Sequence, residues 1–184
     1  MPETEKLDLS RRYLTIHPED HLQGPPDAPY TLIEYGDYQC PGCGRLFAVI
    51  RDLQAELGNM LRIAYRHYPF SGIHPQAQLA AEAAEAAGAQ TRFWEMHDLL
   101  FHNQDALAPK DLHRHAEQIG LDIKRFRDEL KARRYHNLVN EHFRRGVQDG
   151  VYGTPGLFIN GIRCAGGLDF DALHARIVDS GNGT

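Results

Sequence analysis

The sequence is poor in cysteine, and it contains no long run of apolar residues or of charges of one sign. Its 184 residues include three cysteines, too few for a disulfide-stapled extracellular framework. No stretch approaches the roughly 18 apolar residues that a membrane helix needs, so we predict no membrane span. Residues Met1–Lys6 lack the basic and apolar regions of a secretory leader. We therefore expect a cytoplasmic protein, or a periplasmic or otherwise extracytoplasmic one if a signal segment has been removed.

The charge balance is mildly acidic. Acidic residues outnumber basic residues by 25 to 20, which gives a formal net charge of -5. Recognition of nucleic acid needs a concentrated cationic face, so we predict no nucleic-acid partner. Apolar residues make up 42 % of the chain and aromatic residues 9 %, enough to build a hydrophobic core and to exclude a disordered chain.

The first part of the chain predicts an arm followed by a β-α-β unit. Residues 1–28 form the predicted arm, in which Tyr13–Ile16 is a candidate edge strand. Residues 29–74 form the next segment, with a strand, a helix and a second strand assigned from periodicity to Tyr30–Tyr35, Pro41–Leu57 and Leu61–His67. Two strands joined by one helix in the same sheet are expected to be parallel, with a right-handed crossover.

The period then becomes helical over residues 75–150, which predicts an all-helical insertion. Its five helices are placed at about 76–87, from 91, at 110–119, after the cap Asp122, and at 135–148, the last with Leu138, Val139, Phe143 and Val147 facing inward. Residues 151–184 are expected to complete the sheet with a hairpin that turns at Asn160–Gly161 and a helix that begins at Asp169. The predicted fold class is α/β.

The pair Cys40 and Cys43 lies where a central strand ends and a helix begins. The unpaired N–H groups and positive dipole end of that helix favour a thiolate at Cys40. A low thiol pKa provides both a nucleophile and a good leaving group for thiol–disulfide exchange. Pro41 suits the first helical turn, Gly42 leaves the sulfur unshielded, and Cys43 one turn deeper is the candidate resolving thiol. Two alternatives remain, a half-built zinc site and two inert core cysteines.

A second motif, Gly153–Pro155, precedes the final hairpin, and with the cysteine pair it resembles the thioredoxin-fold oxidoreductases. More closely, the chain resembles the DsbA-like family, which is a thioredoxin fold with a helical insertion. The matching stretches are Glu34–Cys43, Arg66–Phe70, Ala80–Ala84 leading into Phe93–Asp98, and Gly153–Pro155. The resemblance covers about residues 20–180 and implies a central mixed β-sheet flanked by helices.

The resemblance also implies roles for three residues besides the cysteines. Pro155 would be cis and face the cysteine pair, although a trans proline that enters a strand is the alternative. Thr154 would offer its backbone to an extended substrate chain. Glu34 would be a buried acid with a raised pKa that relays a proton as Cys43 attacks a mixed disulfide. The alternative for Glu34 is a carboxylate paired with a nearby lysine or arginine.

The sequence departs from the family between the cysteines. Its Pro41-Gly42 matches neither the Pro-His of the strongly oxidising members nor the Gly-Pro of thioredoxin. Without that histidine, one donor to the thiolate is absent, so we expect Cys40 to be less acidic than in those members. The redox potential therefore cannot be carried over from the family.

These observations predict a protein disulfide oxidoreductase that uses Cys40 to attack and Cys43 to resolve. It needs no cofactor and no metal. Its expected partners are protein disulfides or dithiols and a redox-recycling partner, either a thiol pool or a reductase or oxidase. The alternatives are a glutathione-dependent transferase or isomerase on the same fold and a non-catalytic binding module, with or without a metal.

Three further residues are weaker candidates. Cys164 is predicted to be a small core residue or else a regulatory third thiol. His67 and His74 follow one another closely at the end of the second strand, where the rim around the cysteines is one candidate position and an isolated, hydrogen-bonded histidine is the other.

Overall fold

The computed structural model describes residues 14–181. Its helices and strands follow in the order β1 (His21–Gln23), β2 (Tyr30–Gly36), α1 (Pro41–Leu57), β3 (Leu61–His67), α2 (Ala77–Gly88), α3 (Phe93–His102), α4 (Pro109–Gln118), α5 (Ile123–Lys131), α6 (His136–Gln148), β4 (Gly156–Ile159), β5 (Ile162–Arg163) and α7 (Phe170–Gly181). A short 3-10 helix, Gly58–Met60, joins α1 to β3. None of the helices in this part of the chain is long and apolar enough to span a bilayer.

The five strands form one mixed sheet in the order β1-β3-β2-β4-β5. Strands β2 and β3 are parallel, while β1, β4 and β5 each pair antiparallel with their neighbours. The central strand β2 is buried on both faces because it carries apolar side chains at nearly every position. The predicted thioredoxin fold, with a mixed sheet flanked by helices and with helices α2–α6 inserted between β3 and β4, is confirmed.

Local signals set several boundaries. Pro41 is the first residue of α1, where its missing N–H has no partner in any case. The Asp122 side chain accepts a hydrogen bond from the backbone N–H of Arg125 and caps α5. Asn160 and Gly161 both have positive φ, 46° and 79°, as the two-residue turn between β4 and β5 requires.

The core consists of three clusters of buried side chains. One packs the alanine-rich α2 and the other inserted helices against the cysteine pair, and it includes Phe93, Met96 and Phe101. A second lies between one face of the sheet and helices α1 and α7. The third covers the opposite face, where Tyr35 and Tyr68 pack with the half-buried Leu14 and Ile16. The sheet is thus covered on both faces, and its central strand leads directly to the cysteines.

Two expectations about the arm and the insertion are wrong. The edge strand is His21–Gln23 and not Tyr13–Ile16: residues 14–16 contain no strand, and Tyr13 lies outside the described residues. The arm therefore contributes to the sheet, because Leu22 pairs with β3, and Leu14 and Ile16 pack against one of its faces. In α6, Val147 is 48 % exposed, and the buried positions on that helix are Val139, His142 and Gly146.

Candidate active site

Cys40 occupies the junction between the central strand and helix α1. It is the N-cap residue of that helix, in extended conformation, and its backbone N–H donates to the carbonyl of Asp37. Its own carbonyl accepts from Gly44 N at 3.1 Å, the first hydrogen bond of the helix. The sulfur therefore lies beside the free N–H groups and the positive dipole end of α1, as the sequence predicts.

The two thiols have opposite electrostatic environments. A hydrogen bond from the Cys43 thiol, with further ones from Thr154 and from the backbone of Gly42 and Cys43, outweighs burial and lowers the pKa of Cys40 to about 5. Burial, followed by the neighbouring Cys40 sulfur and the Glu34 carboxylate, raises the pKa of Cys43 far above the usual range. Cys40 is 7 % exposed and Cys43 is not exposed at all. At neutral pH, Cys40 is the thiolate and Cys43 the buried thiol.

The loop before β4 faces the cysteines from the other side. The Thr154–Pro155 peptide bond is cis, and Cys40 Sγ lies 3.5 Å from the carbonyl oxygen of Thr154. A Cβ at Gly42 would lie 3.2 Å from Cδ of Pro155 and 3.5 Å from Cys40 Sγ, so a side chain here would crowd the proline and the sulfur. The chain thus brings together two motifs that are 114 residues apart.

Beside this contact lies an open groove of about 400 Å³. Gly42, Leu46, Val49, Pro155 and Leu168 provide its largely apolar surface, and Arg45 and Asp169 carry its charges. A polypeptide segment held against Pro155 would run along this groove. Its walls come from α1, the loop of Pro155 and the residues just before α7.

Glu34 lies inside the sheet beneath the cysteines. It is 2 % exposed, and it pairs in register with Tyr65 of β3 and Leu157 of β4. Burial, with a smaller contribution from the Cys40 thiolate, raises the pKa of Glu34 to about 8. No lysine or arginine of the described residues bonds to it, and its Oε1 has no hydrogen-bond partner there. The alternative of a carboxylate paired with a basic residue therefore does not hold.

A cavity of about 10 Å³ borders Glu34. Tyr65, His97 and Gln54 also line it, and the hydroxyl of Tyr65, like Oε1 of Glu34, is buried without a partner among residues 14–181. That volume is about what one water molecule requires, and a water there would have polar neighbours to bond. The acid therefore borders a small space that polar side chains also line.

Two residues that the sequence reasoning did not assign hold the cysteine loop in place. The buried carboxylate of Asp37 accepts hydrogen bonds from the backbone of Gln39 and Phe70, and it pairs with Nδ1 of His74 at 2.7 Å. Gln104, from the loop after α3, donates to the carbonyls of Tyr38 and Cys40 at 2.9 Å each. Asp37 lies three residues before Cys40, which is a usable signal, whereas nothing near Gln104 in the sequence points to the site.

The three weaker candidates, His67, His74 and Cys164, lie in different surroundings. His74 lies at the rim of the cysteine loop through its contact with Asp37. His67 does not lie on that rim: it is fully buried, because α2 and α6 cover the end of β3. Cys164 is half-buried beside the cluster that α7 covers, and burial raises its pKa, so it is a packed thiol and not an activated one.

Comparison with known proteins gives one family match and two groups of relatives. A family model described as thioredoxin matches residues 17–179. The Na(+)/H(+) antiporter NhaA 1 of Salinispora arenicola is 45 % identical over 165 residues, which are 90 % of this chain and 25 % of that protein. The protein of the same name from Mycolicibacterium gilvum is 40 % identical over an alignment of 186 residues, which covers 99 % of this chain and 29 % of the relative. The chain thus spans about a quarter of the length of these curated relatives.

The solved structures extend the match to the whole fold. Oxidised BdbD from Bacillus subtilis superposes with a TM-score of 0.80 at 22 % identity, covering 88 % of this chain and 92 % of that one. Alpha-DsbA1 from Wolbachia pipientis gives 0.79 at 18 % identity, with 94 % and 96 % covered. MdbA, a thiol-disulfide oxidoreductase from Corynebacterium diphtheriae, gives 0.67 at 18 %, with 84 % and 88 % covered. Because the family match spans nearly the whole described chain and these structures cover its helical insertion, the chain belongs to the thioredoxin family and has the fold of its DsbA-like members.

Proposed function

We propose that the protein is a thiol–disulfide oxidoreductase that exchanges disulfides with protein substrates through Cys40 and Cys43. The observation that carries this proposal is the geometry of the pair: Cys40 is the N-cap residue of α1, with its sulfur 3.5 Å from the Thr154 carbonyl, and Cys43 is fully buried behind it. The lowered pKa of Cys40 and the raised pKa of Cys43 agree with an attacking and a resolving thiol. An inert pair of core cysteines has no reason to differ in this way. A glutathione-dependent transferase has no use for Cys43 at the resolving position.

The reaction proceeds in two exchanges. The Cys40 thiolate attacks one sulfur of a substrate disulfide, forming a mixed disulfide, and the other substrate sulfur leaves as a thiolate that takes up a proton. Glu34, whose pKa is about 8, first loses its own proton and then accepts that of Cys43. The Cys43 sulfur attacks Cys40 and releases the second substrate sulfur as a thiolate, which takes up a proton. The substrate disulfide is reduced to a dithiol, and the two cysteines are oxidised to a disulfide. The reverse sequence oxidises a substrate dithiol.

The partners follow from the surface around Cys40. Thr154 presents backbone beside the sulfur, and an open groove of about 400 Å³ runs beside Pro155 and Leu46, where an extended segment can lie. Protein disulfides fit this arrangement, and no cofactor is part of the proposed reaction. The direction depends on the surrounding thiol pool: a reducing cytosol keeps the pair as a dithiol that reduces substrates, and an oxidising compartment favours disulfide donation.

A trapping experiment tests the proposal. Cys43→Ser should leave the first attack intact and block resolution, so that a peptide disulfide substrate accumulates as a covalent adduct on Cys40. Cys40→Ser is the matched control and should yield no adduct, because Cys43 is buried. Adducts on Cys164 alone, or none in the Cys43→Ser variant, would contradict the proposed function.

A further inference from the structure

A second cluster of titratable side chains lies at the end of β3, outside the cysteine pair and its groove. His67 from β3, Glu85 from α2 and His142 from α6 each bring one nitrogen or oxygen donor, and these atoms lie within 4.8 Å of one another. All three residues are buried. The carboxylate of Glu85 is 2.8 Å from Nε2 of His67 and 3.0 Å from Nε2 of His21 on β1.

Hydrogen bonds within the protein leave this cluster incompletely satisfied. Nδ1 of His67 and Nε2 of His142 are buried without a partner among the described residues. The backbone N–H of His67 reaches Nδ1 of His142 only at 3.3 Å, beyond the usual length of an N–H donor bond. Native proteins rarely leave several polar atoms of one cluster unpaired, because each costs free energy when buried. A bound ligand would give these unpaired ring nitrogens a partner that the other side chains of the cluster do not.

We propose that His67, Glu85 and His142 bind a divalent transition-metal ion of the Zn²⁺ type. Imidazole and carboxylate donors are those that zinc takes in proteins, and three of them leave the fourth position of a tetrahedral ion to a water molecule. Metal–ligand bonds of about 2.1 Å place donors roughly 3.4 Å apart, so the three side chains, whose donor atoms lie within 4.8 Å of one another, contract around the ion.

The unpaired nitrogen of His142 suits such an ion. Nε2 of this ring has no partner among the described residues, while Nδ1 faces the backbone N–H of His67. An ion bound by Nε2 of His142, Nε2 of His67 and the Glu85 carboxylate would replace the hydrogen bond between His67 and Glu85, and the His67 ring would carry its hydrogen on Nδ1.

His21 marks the side from which an ion can enter the cluster. Its side chain is 23 % exposed, while that of Glu85 is 6 % exposed, so an ion reaches the carboxylate from the His21 side. The three ligands come from β3, α2 and α6. A bound ion would therefore fasten the end of β3 to two of the inserted helices at one point.

Zinc binding is best tested in the full chain with Cys40→Ser and Cys43→Ser, since thiol groups are zinc ligands and would confuse the measurement. After chelation and dialysis against Zn²⁺, elemental analysis should find one zinc per chain, and the thermal midpoint should rise on adding zinc. Co²⁺ in place of zinc should give the visible absorption of a tetrahedral site. Failure of this test leaves the proposed thiol exchange untouched, because the variant without Cys40 and Cys43 carries out none.

Two variants locate the ion. His142→Gln should abolish stoichiometric binding and the zinc-dependent rise in thermal midpoint. His102→Gln, at an exposed histidine outside the cluster, should change neither. Circular dichroism of the metal-free variants checks that they fold, and Glu85→Gln serves if His142→Gln does not. Zinc content that is equal in the parent and in a folded cluster variant, or absent from the parent, overturns the proposal.

Discussion

Replacing Glu34 with glutamine should remove a pH-dependent loss of stability. In the folded protein the pKa of this buried acid is raised from 4.5 to about 8, chiefly by burial. The unfolded chain therefore ionises near pH 4.5, while the folded protein keeps the proton until about pH 8. The stability associated with Glu34 is complete below pH 4.5 and is lost as the pH rises through 8, at about 1.4 kcal/mol per pH unit within that window.

The expected difference is large enough to measure. A pH of 7 lies two and a half units above the pKa of Glu34 in the unfolded chain but below its pKa in the folded protein. The free energy of unfolding therefore falls by about 3 kcal/mol between pH 4.5 and pH 7. Glutamine keeps the shape and cannot ionise. The free energy of unfolding of each protein is compared with its own value at pH 4. By pH 7 the value for Glu34→Gln should exceed that of the natural protein by about 3 kcal/mol.

Urea unfolding of both reduced proteins from pH 4 to pH 8 gives this difference directly, because the titration of most other groups cancels between them. The opposite slope from Cys40, whose lowered pKa adds stability as the pH rises above 5, is present in both proteins. Glu56→Gln, at an exposed position of α1, is the matched control, and its stability should follow that of the natural protein across this pH range. A difference that stays flat from pH 4 to pH 8 would refute the assignment of Glu34 as a desolvated acid.

Three further predictions concern single side chains. Alkylation of Cys40 in the reduced protein should have a midpoint near pH 5, with Cys164 reacting only at high pH, and mass spectrometry of the labelled peptides decides whether it does. Glu34→Gln should slow resolution of the mixed disulfide in stopped-flow kinetics more than it slows the first attack, and equal slowing would indicate a purely structural Glu34. Arg66→Met should cost about 3–5 kcal/mol in urea unfolding, because the Asp20 carboxylate, 1 % exposed, loses its partner; a loss under about 1 kcal/mol would mean that water replaces the guanidinium.

Most of the fold follows from local patterns. Helix α1 begins at Pro41 and ends before Gly58, as the sequence predicts, because a proline and a glycine mark its ends and the apolar spacing is helical between them. Strand β1 was missed, since His21–Gln23 is too short to show alternation and is an edge strand only through its antiparallel pairing with β3. Val147 was placed inward by spacing alone, but α6 buries its His142 and Gly146 face.

The site likewise contains residues that the sequence identifies and residues that it does not. The cysteines, Thr154 and Pro155 are recognisable because their motifs are short and contiguous, and Glu34 because it is an acid within an apolar strand. Gln104 bonds to the carbonyl of a residue 64 positions away, and His67 is paired with Glu85 by the packing of α2. Such contacts depend on how the inserted helices pack against the sheet, and no local pattern in the sequence records that packing.

The insertion of five helices between β3 and β4 also has a consequence for biosynthesis. A ribosome delivers Cys40 and Cys43 early, but the neighbour of β2 on its other side and the Thr154 carbonyl emerge only after more than a hundred further residues, given a separation of 114 positions. Until then the nascent polypeptide holds two thiols without the loop that faces them and with one side of its central strand unpaired. Chaperone engagement of ribosome-bound intermediates should therefore persist until translation has passed β4.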